Sequence, residues 1–269
     1  MHYCRKLVCQ EKYYQVFYLS NTPASSHGNR NDFLLMKVGD KKTIQKYARA
    51  ISQAIKEEVG ENAFAITQNP SYFLANAAYL LSNEVSKSLS KPFELFFQKP
   101  WKMKKYYCKI KTKEREKILD ETVSFNGRLN SSKSVVLIDD CVTTGTALRS
   151  CIKKLLQKGF KNIYCFTCFN FKDPEEEERL AYIKLDKKGT KFVERIISGK
   201  KNFLTGRALT LLLELPRATT NSIIAKASKD RKNEILPALA ELGNGKPLYK
   251  KKIKEILQTF GQEPKPQPF

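Results

Sequence analysis

One stretch constrains the fold of this chain more than any other: VVLIDDCVTTGTAL, from Val135 to Leu148. An apolar run ends in two adjacent aspartates, and a loop of threonines with one glycine leads into a second apolar run. A run of this length bounded by polar residues indicates a buried strand, and the apolar restart indicates a helix. We therefore predict a strand that ends at Asp139 and Asp140, followed by a helix from about Thr146 to Lys158.

The elements around this stretch predict an α/β fold. The β-prone run NIYCFTCFNF follows the helix, and the order strand, helix, strand is typical of a parallel βαβ unit. Other strands are predicted at Tyr13–Ser20, in FLLMKV, in AFAI and in FELFF, and helices at Thr43–Glu58 and Phe73–Leu89. The expected fold is a mostly parallel sheet flanked by helices.

The loop after the aspartates has the chemistry of a phosphate site. The N–H groups at a helix N-terminus attract anions, and the hydroxyls of Thr143, Thr144 and Thr146 add donors. Gly145 permits close approach of the backbone to a ligand. Two carboxylates would repel a phosphate but accept hydrogen bonds from a polyol beside it, which indicates a ribose 5-phosphate. The alternative is a buried strand, an N-capped helix and two solvated acids.

The same stretch resembles the motif with which type I phosphoribosyltransferases (PRTases) bind phosphoribosyl pyrophosphate (PRPP). The resemblance implies that Asp139 and Asp140 are catalytic and hold the ribose hydroxyls. It also implies that Thr143, Thr144, Gly145 and Thr146 bind the 5-phosphate, and that Mg²⁺ accompanies the pyrophosphate. ComF-like members look closest, because FLLMKVGDKK is similar to their early strand and KTKEREKILDETVSF to the stretch before their PRPP strand.

The sequence departs from the family pattern within the motif and before it. Ala147 stands where the final hydroxyl residue of the motif, Thr or Ser, is usual, and the segment between Lys56 and Lys87 has no Lys or Arg to bind pyrophosphate. Three hypotheses therefore stay open. The chain is an active transferase or glycosidic-bond-cleaving enzyme, a non-catalytic sensor of PRPP or nucleotide, or an effector subunit of a nucleic-acid complex.

The charge of the chain indicates a polyanionic partner. Lys and Arg number 49 against 27 acids, a formal net charge of +22, which favours nucleic acid, DNA or RNA. The alternative is a lysine-rich composition spread over solvated faces. In the most basic window, 98–117, Lys102, Lys104 and Lys105 lie next to aromatic residues that stack on bases. A hood over the PRPP site or a solvated hairpin would have the same composition.

We predict three parts: a PRTase-like domain over 1–172, a helical domain over 173–260 and a disordered tail over 261–269. The second is either a winged helix-turn-helix or a plain helical cap, with helices at Thr205–Leu215, after a cap at Thr219 or Thr220, and after Asp230. Its candidate phosphate contacts are Arg231, Lys232, Lys250, Lys251 and Lys252. This architecture resembles the effectors of retron antiphage systems, which implies a reverse transcriptase partner. The sequence is also compatible with an oligomer.

Cysteine placement and hydropathy predict a cytoplasmic protein without structural zinc. No apolar run approaches the length needed to span a bilayer, and no secretory signal is visible. The seven cysteines are then expected to be reduced thiols. Cys165 and Cys168 form a CxxC on a predicted strand, where residues three apart point to opposite faces. Cys4 and Cys9 lack partner ligands, so no metal ligand is predicted.

Overall fold

The computed structural model describes residues 2–21, 27–60, 64–68, 76–98, 112–126, 134–171, 183–199, 201–245 and 247–260. Its main sheet has five strands, in the spatial order β1-β2-β7-β6-β3. β1 pairs antiparallel with β2, whereas the β2–β7, β7–β6 and β6–β3 pairs are parallel. The bounds are β1 Tyr3–Cys9, β2 Lys12–Asn21, β3 Phe64–Gln68, β6 Ser134–Val142 and β7 Ile163–Asn170. The predicted mostly parallel sheet is confirmed.

Helices cover both faces of this sheet. In chain order they are α1 His27–Lys37, α2 Lys41–Glu58, α3 Ala77–Leu89, α4 Thr112–Thr122 and α5 Thr146–Gln157. The apolar residues of α2 and α3 form one core with one side of the sheet, and those of α4 and α5 form another on the opposite side. Asp40 starts α2, because its carboxylate accepts a hydrogen bond from the backbone N–H of Thr43 at 2.9 Å.

The βαβ unit predicted from the opening motif is present. β6 and β7 are parallel neighbours, and α5 connects them. Cys165 packs in the core on one face of the sheet and Cys168 in the core on the other, as the strand period predicts. Burial raises the pKa of Cys165 to about 12 and also raises that of Cys168, so both thiols stay protonated at neutral pH.

Two strand predictions were wrong. FLLMK lies in α1 and Val38 follows it, because a helical period buries Phe33 and Met36 on the core side where a strand would separate them. FELFF contributes only Phe97 to a strand; β4 Phe97–Gln98 pairs antiparallel with β5 Ser124–Phe125. Phe93 instead makes a single bridge to Ile66 of β3.

The described C-terminal part, 183–260 with its gaps, is helical. It contains α6 Lys187–Ser198, α7 Gly206–Glu214, α8 Arg217–Lys226, α9 Lys229–Gly245, a 3-10 turn at Pro247–Tyr249 and α10 Lys250–Thr259. No strand occurs among these described residues, which form helices and turns, and the helix-turn-helix stays a prediction. Thr220 lies inside α8, where its hydroxyl binds backbone carbonyls, so it does not cap that helix. Each of the described helices is too short or too polar to cross a membrane.

The structure does not support Arg231 as a phosphate contact. The residue is 4% exposed, and its guanidinium donates to the carbonyls of Ile197 at 2.7 Å and Ile196 at 3.3 Å. Arg231 therefore satisfies the carbonyls at the C-terminus of α6. Lys252 has a similar role, because its ammonium donates to the carbonyls of Leu213 and Leu215 at the C-terminal end of α7. Burial lowers the pKa of Lys252.

Arg231→Met is expected to destabilise the protein by about 2 kcal/mol, because it leaves buried carbonyls of α6 without donors. The neighbouring change Lys232→Met should cost no more than about 0.5 kcal/mol, since Lys232 is only half-buried whereas Arg231 is buried. Urea unfolding monitored by circular dichroism measures both. Equal losses for the two variants would contradict the structural role of Arg231.

Candidate functional site

The two aspartates of the motif lie at the carboxyl end of β6, in the middle of the sheet. Asp139 is 9% and Asp140 7% exposed. The carboxylate of Asp139 accepts a hydrogen bond from the backbone N–H of Asp140 at 2.9 Å. In α/β folds, ligands bind outside the carboxyl ends of the parallel strands, at the point where the strand order reverses. The predicted acids lie at this carboxyl edge of the sheet.

A lysine far away in sequence completes this acidic pair. Nζ of Lys37, the last residue of α1, lies 2.8 Å from Oδ2 of Asp140 and 5.1 Å from the ring centre of Phe33. A buried carboxylate requires such compensation, because an isolated charge is costly to desolvate. Sequence reasoning missed Lys37, since it lay in a segment predicted as a strand and no local pattern links it to the motif.

The loop after the acids has the backbone geometry of a tight turn into a helix. Gly145 has φ +74°, and a Cβ there would lie 2.5 Å from Cδ1 of Leu7. Gly145 has no side chain to cap α5, and the backbone N–H of Thr146 donates to Oγ1 of Thr144 at 3.5 Å. The hydroxyls of Thr144 and Thr146 lie 2.8 Å apart. Ala147 packs against the core, so the hydroxyls of this loop come from the threonines before it.

Two arginines hold the carbonyls of this loop. Arg5 Nη1 donates to the carbonyl of Thr143 at 2.9 Å, and Arg149 Nη1 donates to that of Thr144 at 2.9 Å. Because C=O and N–H point in opposite directions across a trans peptide, the N–H groups of Thr144 and Gly145 are turned away from the guanidinium groups. The loop thus presents backbone donors on one side and has two cations on the other.

The arginines are themselves fixed by neighbouring elements. Arg5 also donates to Oδ1 of Asn170 at the end of β7, at 2.8 Å, and Arg149 Nε donates to Glu116 of α4 at 3.0 Å. Burial lowers the pKa of Arg5, and the nearby charge of Arg149 adds to this effect. Arg149 was within reach of sequence reasoning, since it lies three residues after Thr146 on one helix face. Arg5 was not, because only sheet pairing brings β1 close.

Polar atoms of the neighbouring strand end at the same edge. Thr67 and Gln68, the last residues of β3, pair in register with Leu137 and Ile138 of β6. Within the part of the chain that is described, Oγ1 of Thr67 and Oε1 of Gln68 are buried without a hydrogen-bond partner. Unsatisfied buried oxygens are costly and call for a donor.

The predicted nucleic-acid contacts do not belong to this edge. Lys102, Lys104 and Lys105 lie outside the described residues. Lys250 and Lys251 are exposed in the first turn of α10, whose opposite face is buried through Ile253, Ile256 and Leu257. Lys232 shares α9 with the buried Arg231. Of the predicted set in the described part, Lys250 and Lys251 are therefore the fully exposed candidates.

A sequence profile of the PRTase-CE family matches residues 13–260. The chain belongs to the PRTase-CE family. The match spans the α/β part and the C-terminal helices together, so the helices are part of what this PRTase-CE chain shares with its family. It supports the predicted phosphoribosyltransferase resemblance; the finer likenesses to ComF-like proteins and to retron effectors stay predictions. No curated protein matches the sequence.

Solved structures similar to this PRTase-CE protein include two phosphoribosyltransferases. One is a hypoxanthine phosphoribosyltransferase from Staphylococcus aureus, with 14% identity, 61% of this chain and 79% of that chain covered, and a TM-score of 0.34. The other is the adenine phosphoribosyl transferase from Trypanosoma brucei in complex with AMP, pyrophosphate and ribose-5-phosphate, with 14% identity, 64% and 88% covered, and a TM-score of 0.38. Both TM-scores are below 0.5, so the family assignment rests on the profile match.

Gly145→Ala should destabilise this PRTase-CE protein by about 2–3 kcal/mol, because it combines left-handed backbone strain with a clash against buried Leu7. Gly60→Ala is a matched control, since Gly60 has φ +70° and nothing lies within 4 Å of a Cβ there. It should cost about 1 kcal/mol, the backbone strain alone. Urea denaturation compares the two free energies of unfolding. A loss at Gly145 no larger than that at Gly60 would show that the loop has room for a side chain.

Proposed function

We propose that this chain binds PRPP or a related ribose 5-phosphate compound at the carboxyl edge of its sheet. The observation that carries the proposal is the direct succession of two buried aspartates and a loop whose N–H groups face away from two arginines. Asp139 and Asp140 would accept hydrogen bonds from the ribose hydroxyls. Thr143, Thr144, Gly145 and Thr146 would bind the 5-phosphate through backbone and hydroxyl donors.

Magnesium fits the chemistry of this donor set. Mg²⁺ is usually held by one or two carboxylates together with substrate phosphates, and the sheet edge offers Asp139 and Asp140. The described residues contain no group of three or more His, Cys, Asp or Glu side chains that could hold a metal. We propose that Mg²⁺ binds with the pyrophosphate of PRPP. It would neutralise the charge that builds up on the leaving pyrophosphate.

The protein's own part in a transfer reaction would be to position and to stabilise charge. The carboxylates would orient the ribose, and the loop would hold its 5-phosphate. C1 would then be the part of the ribose that can move toward a nucleophile. Lys37 supplies a cation beside Asp140. The segment between Lys56 and Lys87 contains no Lys or Arg that could supply one. A nitrogen nucleophile would then attack C1 as pyrophosphate leaves. A sensor that binds PRPP without this last step would need the same contacts.

The double substitution Asp139→Asn and Asp140→Asn should weaken PRPP binding by at least about tenfold, since hydrogen bonds to a charged acceptor are worth about 1.5–3 kcal/mol each. Calorimetry with PRPP and Mg²⁺ measures the affinity, and a coupled assay measures pyrophosphate release. Asp230→Asn, at an exposed position of α9, controls for the loss of acidic charge.

The outcomes separate the hypotheses. Binding that the double variant loses, together with pyrophosphate release, supports a transferase or a glycosidic-bond-cleaving enzyme. Binding without release, across nucleobases and nucleotides, supports a PRPP sensor. Unchanged binding in the double variant would remove the proposed site.

We also propose that the chain associates with nucleic acid. The formal net charge of +22 and the exposed Lys250 and Lys251 at the start of α10 support this proposal. Lysines that neutralise phosphates release counterions, so affinity falls with salt. A complex with DNA or RNA, and with a reverse transcriptase as in retron antiphage systems, would use such a surface.

Lys250→Glu with Lys251→Glu should weaken binding to DNA and RNA oligonucleotides and reduce the slope of log K against log salt by about two. Lys41→Glu with Lys42→Glu is the matched control, because these exposed neighbours open α2 in the α/β part. Fluorescence anisotropy at several salt concentrations gives both quantities. An affinity that is insensitive to salt, or equal losses in the two pairs, would exclude α10 as the contact.

A further inference from the structure

The turn between α1 and α2 belongs to the C-terminal core rather than to the sheet. Val38 is fully buried among apolar residues of α6 and α7, such as Val193, Ile197 and Leu211. In return Phe203, from the segment before α7, packs against the core between the sheet and α2. At this turn, Val38 of the α/β part packs in the C-terminal core, and Phe203 of the C-terminal part packs against the core of the sheet and α2.

Two hydrogen bonds to backbone carbonyls of this turn connect the C-terminal part to the α/β part. Phe203 N–H donates to the carbonyl of Gly39 at 2.8 Å, and the hydroxyl of Thr205 donates to the carbonyl of Lys37 at 3.1 Å. Thr205 is 1% exposed and also caps α7, because its oxygen accepts from the N–H of Ala208 at 3.1 Å. Gly39 has φ +90°, and a Cβ there would lie 2.4 Å from the carbonyl oxygen of Phe203. The contact is thus close and specific.

The residue held at this joint is the one that reaches the candidate site. The carbonyl of Lys37 binds Thr205, and its ammonium lies 2.8 Å from Asp140. We propose that Thr205 is a positioning residue for the sheet-edge site, and that the C-terminal helices control ligand affinity there through Lys37. This inference rests on the proposed function, because it concerns the affinity of that same site for its proposed ligand.

The coupling has a simple electrostatic cause. Asp140 is 7% exposed, and the contact with Lys37 offsets the cost of burying its negative charge. A small displacement of the joint moves Lys37 away from Asp140 and removes the ion pair that holds the carboxylate in one orientation. A carboxylate that is no longer held in place is a poorer preorganised acceptor for ribose hydroxyls. Any partner that displaces the C-terminal helices relative to the sheet would therefore lower the affinity for PRPP.

The first test compares two buried threonines of the C-terminal helices. Thr205→Val should raise the Kd for PRPP by between about twofold and thirtyfold, the range of coupling through residues that do not touch the ligand. Thr205→Ser keeps the hydroxyl and should restore the wild-type Kd. Thr220→Val removes a hydroxyl that binds only carbonyls of its own region, Leu212, Leu215 and Pro216. It should lower stability and leave the Kd unchanged; equal effects on Kd would overturn the proposal.

The second test asks whether Thr205 acts through Lys37. In a Lys37→Met background, Thr205→Val should change the Kd for PRPP no further, because the ion pair that it positions is gone. Independent, multiplicative effects of the two substitutions would overturn the proposal. If Thr205→Val does not fold, Val38→Ala loosens the same joint by a cavity and leaves the cap of α7 intact.

A third measurement separates failure of this inference from failure of the proposed function. If the wild-type protein binds no PRPP, the proposed function fails, but the joint is still testable without ligand. The urea midpoints of Thr205→Val, Asp140→Asn and the double variant then form a cycle. A double shift smaller than the sum supports coupling between these positions, whereas additive shifts would falsify it.

Discussion

The ion pair between Lys37 and Asp140 joins the parts of this structure on which its chemistry depends. Asp140 lies near the carboxyl end of β6, an interior strand of a mostly parallel sheet, where a carboxylate has little water to solvate it. Lys37 provides the compensating charge at 2.8 Å. The lysine reaches that position because α1 ends there and because the following turn is buried in the C-terminal core. The sheet, α1 and the C-terminal helices therefore converge on one carboxylate.

The loop beside this pair is built by the same kind of convergence. Its glycine has a conformation that other residues rarely adopt, and its carbonyls are held by Arg5 from the outermost strand and Arg149 from α5. These contacts turn the backbone N–H groups of Thr144 and Gly145 away from the two guanidinium groups. Preorganised donors cost nothing to reorient when an anion arrives, which is the physical basis of phosphate binding at a helix N-terminus.

Much of the fold was predictable because its elements have clear periods. The buried face of α2, the βαβ unit around α5 and the opposite orientations of Cys165 and Cys168 follow from residue spacing alone. FLLMKV was misassigned because a short apolar run fits either a strand or a buried helix. Arg231 was misassigned because charge in a sequence does not show burial; its guanidinium serves the carbonyls of α6.

The sequence by itself determined the class of fold, the strand that carries the acids and the loop that follows them, because these depend on contacts between residues that are near in the chain. Only the tertiary structure decided which cations serve that site. Arg5, Lys37 and the joint with Thr205 are separated from the motif by most of the α/β part or by the length of the C-terminal segment. Their roles arise from sheet pairing and from packing between two cores, and neither leaves a local pattern in the sequence.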